Sequence, residues 1–109
     1  MFIQFDEYEL LKLFESEPVT IGEKEAGVFI YSKTDSFGFK LVMTFSIYEK
    51  ECSLSLNHHS YETPIFDVKL KDVERISCNY KQLKIQRNNS EKCIEAIFKP
   101  NFSLNILNL

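Results

Sequence analysis

Two stretches of strict alternation stand back to back near the middle of this 109-residue chain, and they leave it little freedom in how to fold. In residues 38–48, Leu41, Met43, Phe45 and Ile47 point one way along an extended chain, with Thr44 and Ser46 opposite. In residues 52–57, Cys52, Leu54 and Leu56 alternate with Ser53, Ser55 and Asn57. Opposed residues of an antiparallel hairpin have a constant numerical sum. Pairing Ile47 with Cys52, Phe45 with Leu54 and Met43 with Leu56 gives 99 each time, with Glu49 and Lys50 at the tip of the turn. Both apolar sets then share one face, and a one-residue slip would turn a whole set outward.

The flanking sequence extends this pattern. Asp6 suits a helix N-cap, and Glu9 three residues on completes a capping-box pair. Leu10, Leu11, Leu13 and Phe14 fall on one arc at helical spacing, with Glu9, Lys12 and Glu15 on the other. The spacing predicts a helix over residues 7–15 that stops before Pro18. Short strands follow at 19–21 and 28–32, separated by the turn GEKEAG, with another turn at 33–36. Further strands are predicted at 65–70, with Phe66, Val68 and Leu70 inward, and at 73–80, with Ile76 and Cys78 in the core. A second hairpin, 83–87 with 94–98 around the loop NNSEK, pairs Leu83 with Phe98 and Ile85 with Ala96. After Pro100 the alternating Phe102, Leu104 and Ile106 suit an edge strand. The predicted fold is α+β: one N-terminal helix packed on a bent, mostly antiparallel sheet of six to eight strands.

Length and composition fit a single domain spanning residues 1–109. A chain of this size buries roughly 65% of its unfolded surface, enough for a core without metal or disulfide support. Ten Phe and five Tyr suit a β-rich interior. Cys52, Cys78 and Cys93 are odd in number, far apart and without a C-x-x-C pair. They read as small buried hydrophobes of a reducing cytosol rather than as bridges or zinc ligands. The N-terminus lacks a signal peptide's basic region and apolar run, and no apolar run reaches membrane-spanning length. A cytoplasmic protein without a membrane partner is expected.

Motifs that carry chemistry are missing. His58 and His59 are adjacent, and neighbouring side chains of an extended segment point apart, which argues against one shared metal. No G-x-S-x-G elbow, phosphate-binding glycine loop or dinucleotide fingerprint occurs. Asp67 has no spaced partner for acid–base work. The expectation is a protein that is not an enzyme, with no cofactor, no metal and no small-molecule substrate. Residues 69–99 carry eight Lys or Arg against four acids. A single-stranded nucleic-acid module using Lys69, Lys71, Tyr80, Lys84 and Arg87 is therefore the alternative reading. The overall charge of −3 and the lack of an RNP-like aromatic pattern weigh against it.

Charge is distributed unevenly. Residues 1–25 hold seven acids and two lysines, net −5, while the remainder is net +2. Asp6, Glu7 and Glu9 sit in the first helical turn, where the dipole favours anions by roughly 0.3–1 kcal/mol each. Glu15 and Glu17 lie at or past the helix end, where the dipole disfavours them, and Glu23 and Glu25 lie in the next turn. No local stability argument asks for these four. Solubility alone could account for them. The sharper reading is an acidic patch for a basic partner, with Tyr31 and Asp35 as neighbours.

The opening ELLKLFESEPVTI and the hairpin FGFKLVMTFSIYEKECSLSL resemble small immunity proteins of bacterial contact-dependent inhibition and related polymorphic toxin systems. The closest resemblance is to one whose cognate toxin is a ribonuclease, and it covers roughly the first half of the chain. The resemblance implies a non-catalytic cytoplasmic antitoxin. Such a protein binds the C-terminal toxin domain of a sibling cell's delivery protein, often over its active site. A nuclease toxin presents cationic residues to phosphate, and an acidic inhibitor surface mimics that phosphate. On this reading Glu15, Glu17, Glu23 and Glu25, with Tyr31 and Asp35, contact a basic nuclease partner.

Overall fold

The computed structural model describes residues 2–87, 93–99 and 102–107. A single helix, α1 (Glu7–Phe14), precedes two antiparallel meanders. The first sheet runs in chain order through β1 (Val19–Thr20), β2 (Val28–Thr34), β3 (Phe39–Ser46), β4 (Glu51–His58) and β5 (Phe66–Leu70). The second runs through β6 (Val73–Cys78), β7 (Gln82–Arg87), β8 (Cys93–Ile97) and β9 (Ser103–Leu107). The class is the α+β predicted. Among the described residues the strands number nine and divide into two sheets at the tight link Lys71–Asp72, where Asp72 takes a left-handed φ of 59°.

The helix begins where its sequence says it must. Asp6 Oδ1 accepts from the backbone N–H of Tyr8 (2.9 Å) and of Glu9 (3.3 Å). It ends at Glu15, which turns left-handed (φ 58°) while its N–H still donates to Leu11 O at 2.8 Å. Leu10, Leu13 and Phe14 are buried, whereas Leu11, predicted on the same arc, is left at the rim.

The segment before the helix stitches the two sheets together. Ile3 N–H donates to Ile47 O, Gln4 N–H to Glu74 O, and Ile76 N–H to Gln4 O, all within 3.1 Å. One continuous core results. Leu10 and Leu13 of α1 share one buried cluster with Met43, Phe45 and Leu54 of the first sheet and Ile76, Leu83 and Ile85 of the second. Phe14 is the meeting point, with ring centroids 5.3 Å from Tyr31 and 5.1 Å, edge-on, from Phe98.

The central hairpin keeps the predicted faces but not the predicted register. Phe45 opposes Cys52, Met43 opposes Leu54 and Leu41 opposes Leu56, a shift of two residues. The reason is the turn. A two-residue connection through Glu49–Lys50 needs left-handed geometry that neither residue favours. The chain instead uses four residues with only Lys50 left-handed (φ 57°), and Lys50 N–H donates to Ser46 O at 2.9 Å. A slip of two preserves which side chains face inward, so alternation is blind to it. The β7–β8 pair differs in the same way: Leu83 opposes Ala96 and Ile85 opposes Ile94, leaving Phe98 beyond the strand. Its loop NNSEK lies outside the described residues.

β2 runs two residues further than predicted, to Thr34. The turn after it is built by Asp35, whose Oδ1 accepts from Phe37 N–H and Phe39 N–H, each at 2.9 Å. Among the described residues no helix is long and apolar enough to cross a membrane.

Candidate protein-binding groove

Between α1 and the short edge strand β1 lies an open groove of about 360 Å³. Helical spacing places Glu7, Tyr8 and Leu11 along one wall, and the chain leaving the helix supplies Glu17 and Pro18 opposite. The pairing of Val19 with Ile30 and Thr20 with Phe29 holds that second wall in place. Phe5, Phe29 and Tyr31 line the groove between the walls. Neither Glu7 nor Glu17 forms an ion pair among the described residues.

Tyr31 links the groove to the core. It is 1% exposed, and its ring lies parallel to Phe45 at 6.0 Å. Burial pushes its hydroxyl up to about 12, helped by the negative charge of Glu7 and by Cys78. That hydroxyl has no hydrogen-bond partner among the described residues, yet its oxygen is not sealed from solvent. Tyr31 thus shares a groove with one of the four acids, Glu17, as a buried lining residue.

The four acids singled out in the sequence do not form one patch. Glu15 is taken up locally: Lys33 Nζ lies 3.1 Å from its carboxylate and also donates to Leu13 O at 3.2 Å, closing the helix end. The hydrogen bond and charge of Lys33 hold the Glu15 carboxyl below its ordinary value. Glu17 stands in the groove wall. Glu23 and Glu25 lie exposed in the turn before β2, whereas Glu15 sits near its end, roughly 20 Å away for seven residues at about 3.3 Å each. Antiparallel β1 and β2 carry the two pairs to opposite ends. Asp35 is occupied in its own turn. The structure instead places Glu17 in the same groove lining as Glu7. Helix-dipole reasoning fully accounted for Glu7 and so hid it; its i, i+4 spacing to exposed Leu11 was the available signal.

The alternative residues are dispersed. Lys69 on β5 lies 3.9 Å from Glu51, and Lys84 on β7 is directly opposite Glu95. Arg87 Nε donates to Lys71 O at 2.9 Å, while Tyr80 stands beyond the other end of β7. The histidine rings, predicted to point apart, stack with centroids 4.4 Å apart, because the strand ends at His58 and the chain turns there. Both His58 nitrogens are engaged: Nδ1 accepts from Ser60 N–H (3.1 Å), so Nε2 is the donor to Phe37 O (2.9 Å). Gly38 is needed beside them, since a Cβ there would collide with the His59 ring. No group of three His, Cys, Asp or Glu side chains is placed to hold a metal among the described residues.

Fold and groove together define an α+β chain of two antiparallel meanders capped by one helix, with an open, acid-walled groove along that helix. No protein-family model and no curated protein sequence matches the chain. Among solved structures it is similar to a chain of a contact-dependent growth inhibition toxin–immunity protein complex from Klebsiella pneumoniae 342. The two are 24% identical, the match covers 96% of each chain, and the TM-score is 0.77. This likeness is one of fold, and it agrees with the resemblance carried by ELLKLFESEPVTI and the central hairpin.

Proposed function

We propose that this chain is an immunity protein that binds and neutralises a cognate toxin domain by stoichiometric, non-catalytic association in the cytoplasm. The observation that carries the reading is the fold shared, end to end, with a chain from a toxin–immunity complex. The groove supports it. Glu7 and Glu17 are exposed and free of ion pairs among the described residues, so a basic partner need break no existing contact to reach them. A nuclease, and a ribonuclease in particular, presents such cationic groups because it must grip phosphate. Unpaired acids also steer a basic partner inward and speed association in a salt-dependent way.

The test is co-expression with the C-terminal toxin domain encoded directly upstream. Growth is restored, and a one-to-one complex elutes on size exclusion. Continued arrest with no complex sinks the proposal. For the interface, Glu7→Lys with Glu17→Lys slows association and flattens its salt dependence. Unchanged rate and salt slope take both residues out of the site. Glu15→Lys is a poorer probe, because it also breaks the Lys33 contact that closes the helix.

A further inference from the structure

The groove has a narrower specificity than acidity alone. Two unpaired carboxylates, Glu7 and Glu17, line it together with Tyr31, whose hydroxyl nothing in the described structure satisfies. A phenol so far removed from bulk water ordinarily has a hydrogen-bond partner. Tyr31 lines the groove, and its oxygen keeps a trace of solvent access. The remaining lining is mostly aromatic and aliphatic, from Phe5, Tyr8, Leu11, Pro18 and Phe29, with Thr20 adding a hydroxyl. Three acceptors over an apolar lining call for a ligand that is cationic, carries several donors and has a flat or aliphatic body.

We propose that the groove is a socket for one arginine side chain of the partner. Its size, about 360 Å³, is at the low end for a small-ligand pocket and too small for a helix or a strand. Guanidinium offers five N–H donors in a rigid plane, enough to serve Glu7, Glu17 and Tyr31 Oη together while its face packs on a ring. An ammonium is compact, strongly hydrated and has three donors on a point charge, so it leaves part of this set unserved. Assigning the arginine to a toxin rests on the immunity reading; the chemistry of the socket does not.

The experiment uses the intact protein and Nα-acetyl-argininamide, followed by two-dimensional amide NMR. Saturable shifts are expected at Tyr8, Leu11, Phe29 and Tyr31, with little response to the lysine or norleucine amides. Glu7→Gln with Glu17→Gln removes the response, and both side chains are exposed, so the fold is retained. Tyr31→Phe deletes only the hydroxyl and weakens binding about tenfold, the loss of one hydrogen bond to a charged donor. No localised shifts overturn the proposal, as does an equal response to lysine or norleucine. An unchanged affinity in Tyr31→Phe removes the hydroxyl and with it the argument for arginine. Each of these negative results leaves toxin binding by the whole protein still measurable, so the two readings fail separately.

Discussion

Phe14 is where the helix, the first sheet and the segment after β8 meet, and its removal tests whether the two meanders share one core. The ring is 2% exposed and contacts Tyr31 and Phe98 at 5.3 and 5.1 Å between centroids. Phe14→Ala removes a large buried side chain and leaves a cavity walled by two rings that are themselves held by other contacts. Such truncations cost about 3–5 kcal/mol. A chain of this length has roughly 5–15 kcal/mol of stability in total. With a urea m-value of about 1.5 kcal/mol/M, the midpoint falls by about 2–3 M. Leu11→Ala, on the same helix but 37% exposed, supplies the internal control and moves the midpoint by less than about 1 M. Urea titration followed by far-UV dichroism and tyrosine fluorescence gives both numbers. If Phe14→Ala shifts the midpoint no more than Leu11→Ala at an unchanged m-value, the ring is not the junction described. Two separate transitions in the wild type would refute the shared core directly.

Three further outcomes are expected. Asp6→Ala leaves two helix N–H groups without their acceptor and costs about 1 kcal/mol, read as a lower urea midpoint. An unchanged midpoint would show that the cap is dispensable. Glu15 has a folded value below the ordinary 4.5 because of Lys33. The stability it contributes is therefore present above 4.5 and lost as pH falls through the lower folded value. Glu15→Gln should lie below wild type near neutral pH and converge with it in acid, and parallel pH–stability curves would refute the coupling. Burial pushes the Cys52 thiol up to about 12 and that of Cys78 up to about 11. At pH 8 a maleimide should leave both largely unmodified in the native protein and label them readily in urea, and rapid native labelling at Cys52 would contradict its burial.

What the sequence made legible follows from what alternation and helical spacing encode. Both report which side of an element is apolar, and that side is fixed by burial. Hence Leu41, Met43 and Phe45, and equally Leu54, Leu70 and Ile76, are core where they were predicted to be. Register depends on the turn, and a four-residue turn with one left-handed lysine preserves every face while moving every pair by two. Parity cannot see such a change. The split into two sheets has the same origin, since the link Lys71–Asp72 is polar and short and looks like any hairpin turn.

The groove was the least legible part, because it belongs to no single element. Its acids come from the first turn of the helix and from the chain after the helix, and the antiparallel return of β1 against β2 holds the second wall that brings them to one groove. Charge counted along the chain grouped Glu17 with Glu23 and Glu25, which that same return carries away. It also grouped Glu17 with Glu15, which Lys33 had already claimed. Tyr31 stood out in the sequence only as a neighbour of those acids. Only the packing around it shows a buried, groove-lining ring whose hydroxyl has no partner among the described residues. A site assembled this way can change its specificity by altering one wall. Substitutions at Glu7 or Glu17 leave the core residues untouched, and the fold can therefore persist while the charge of the groove changes.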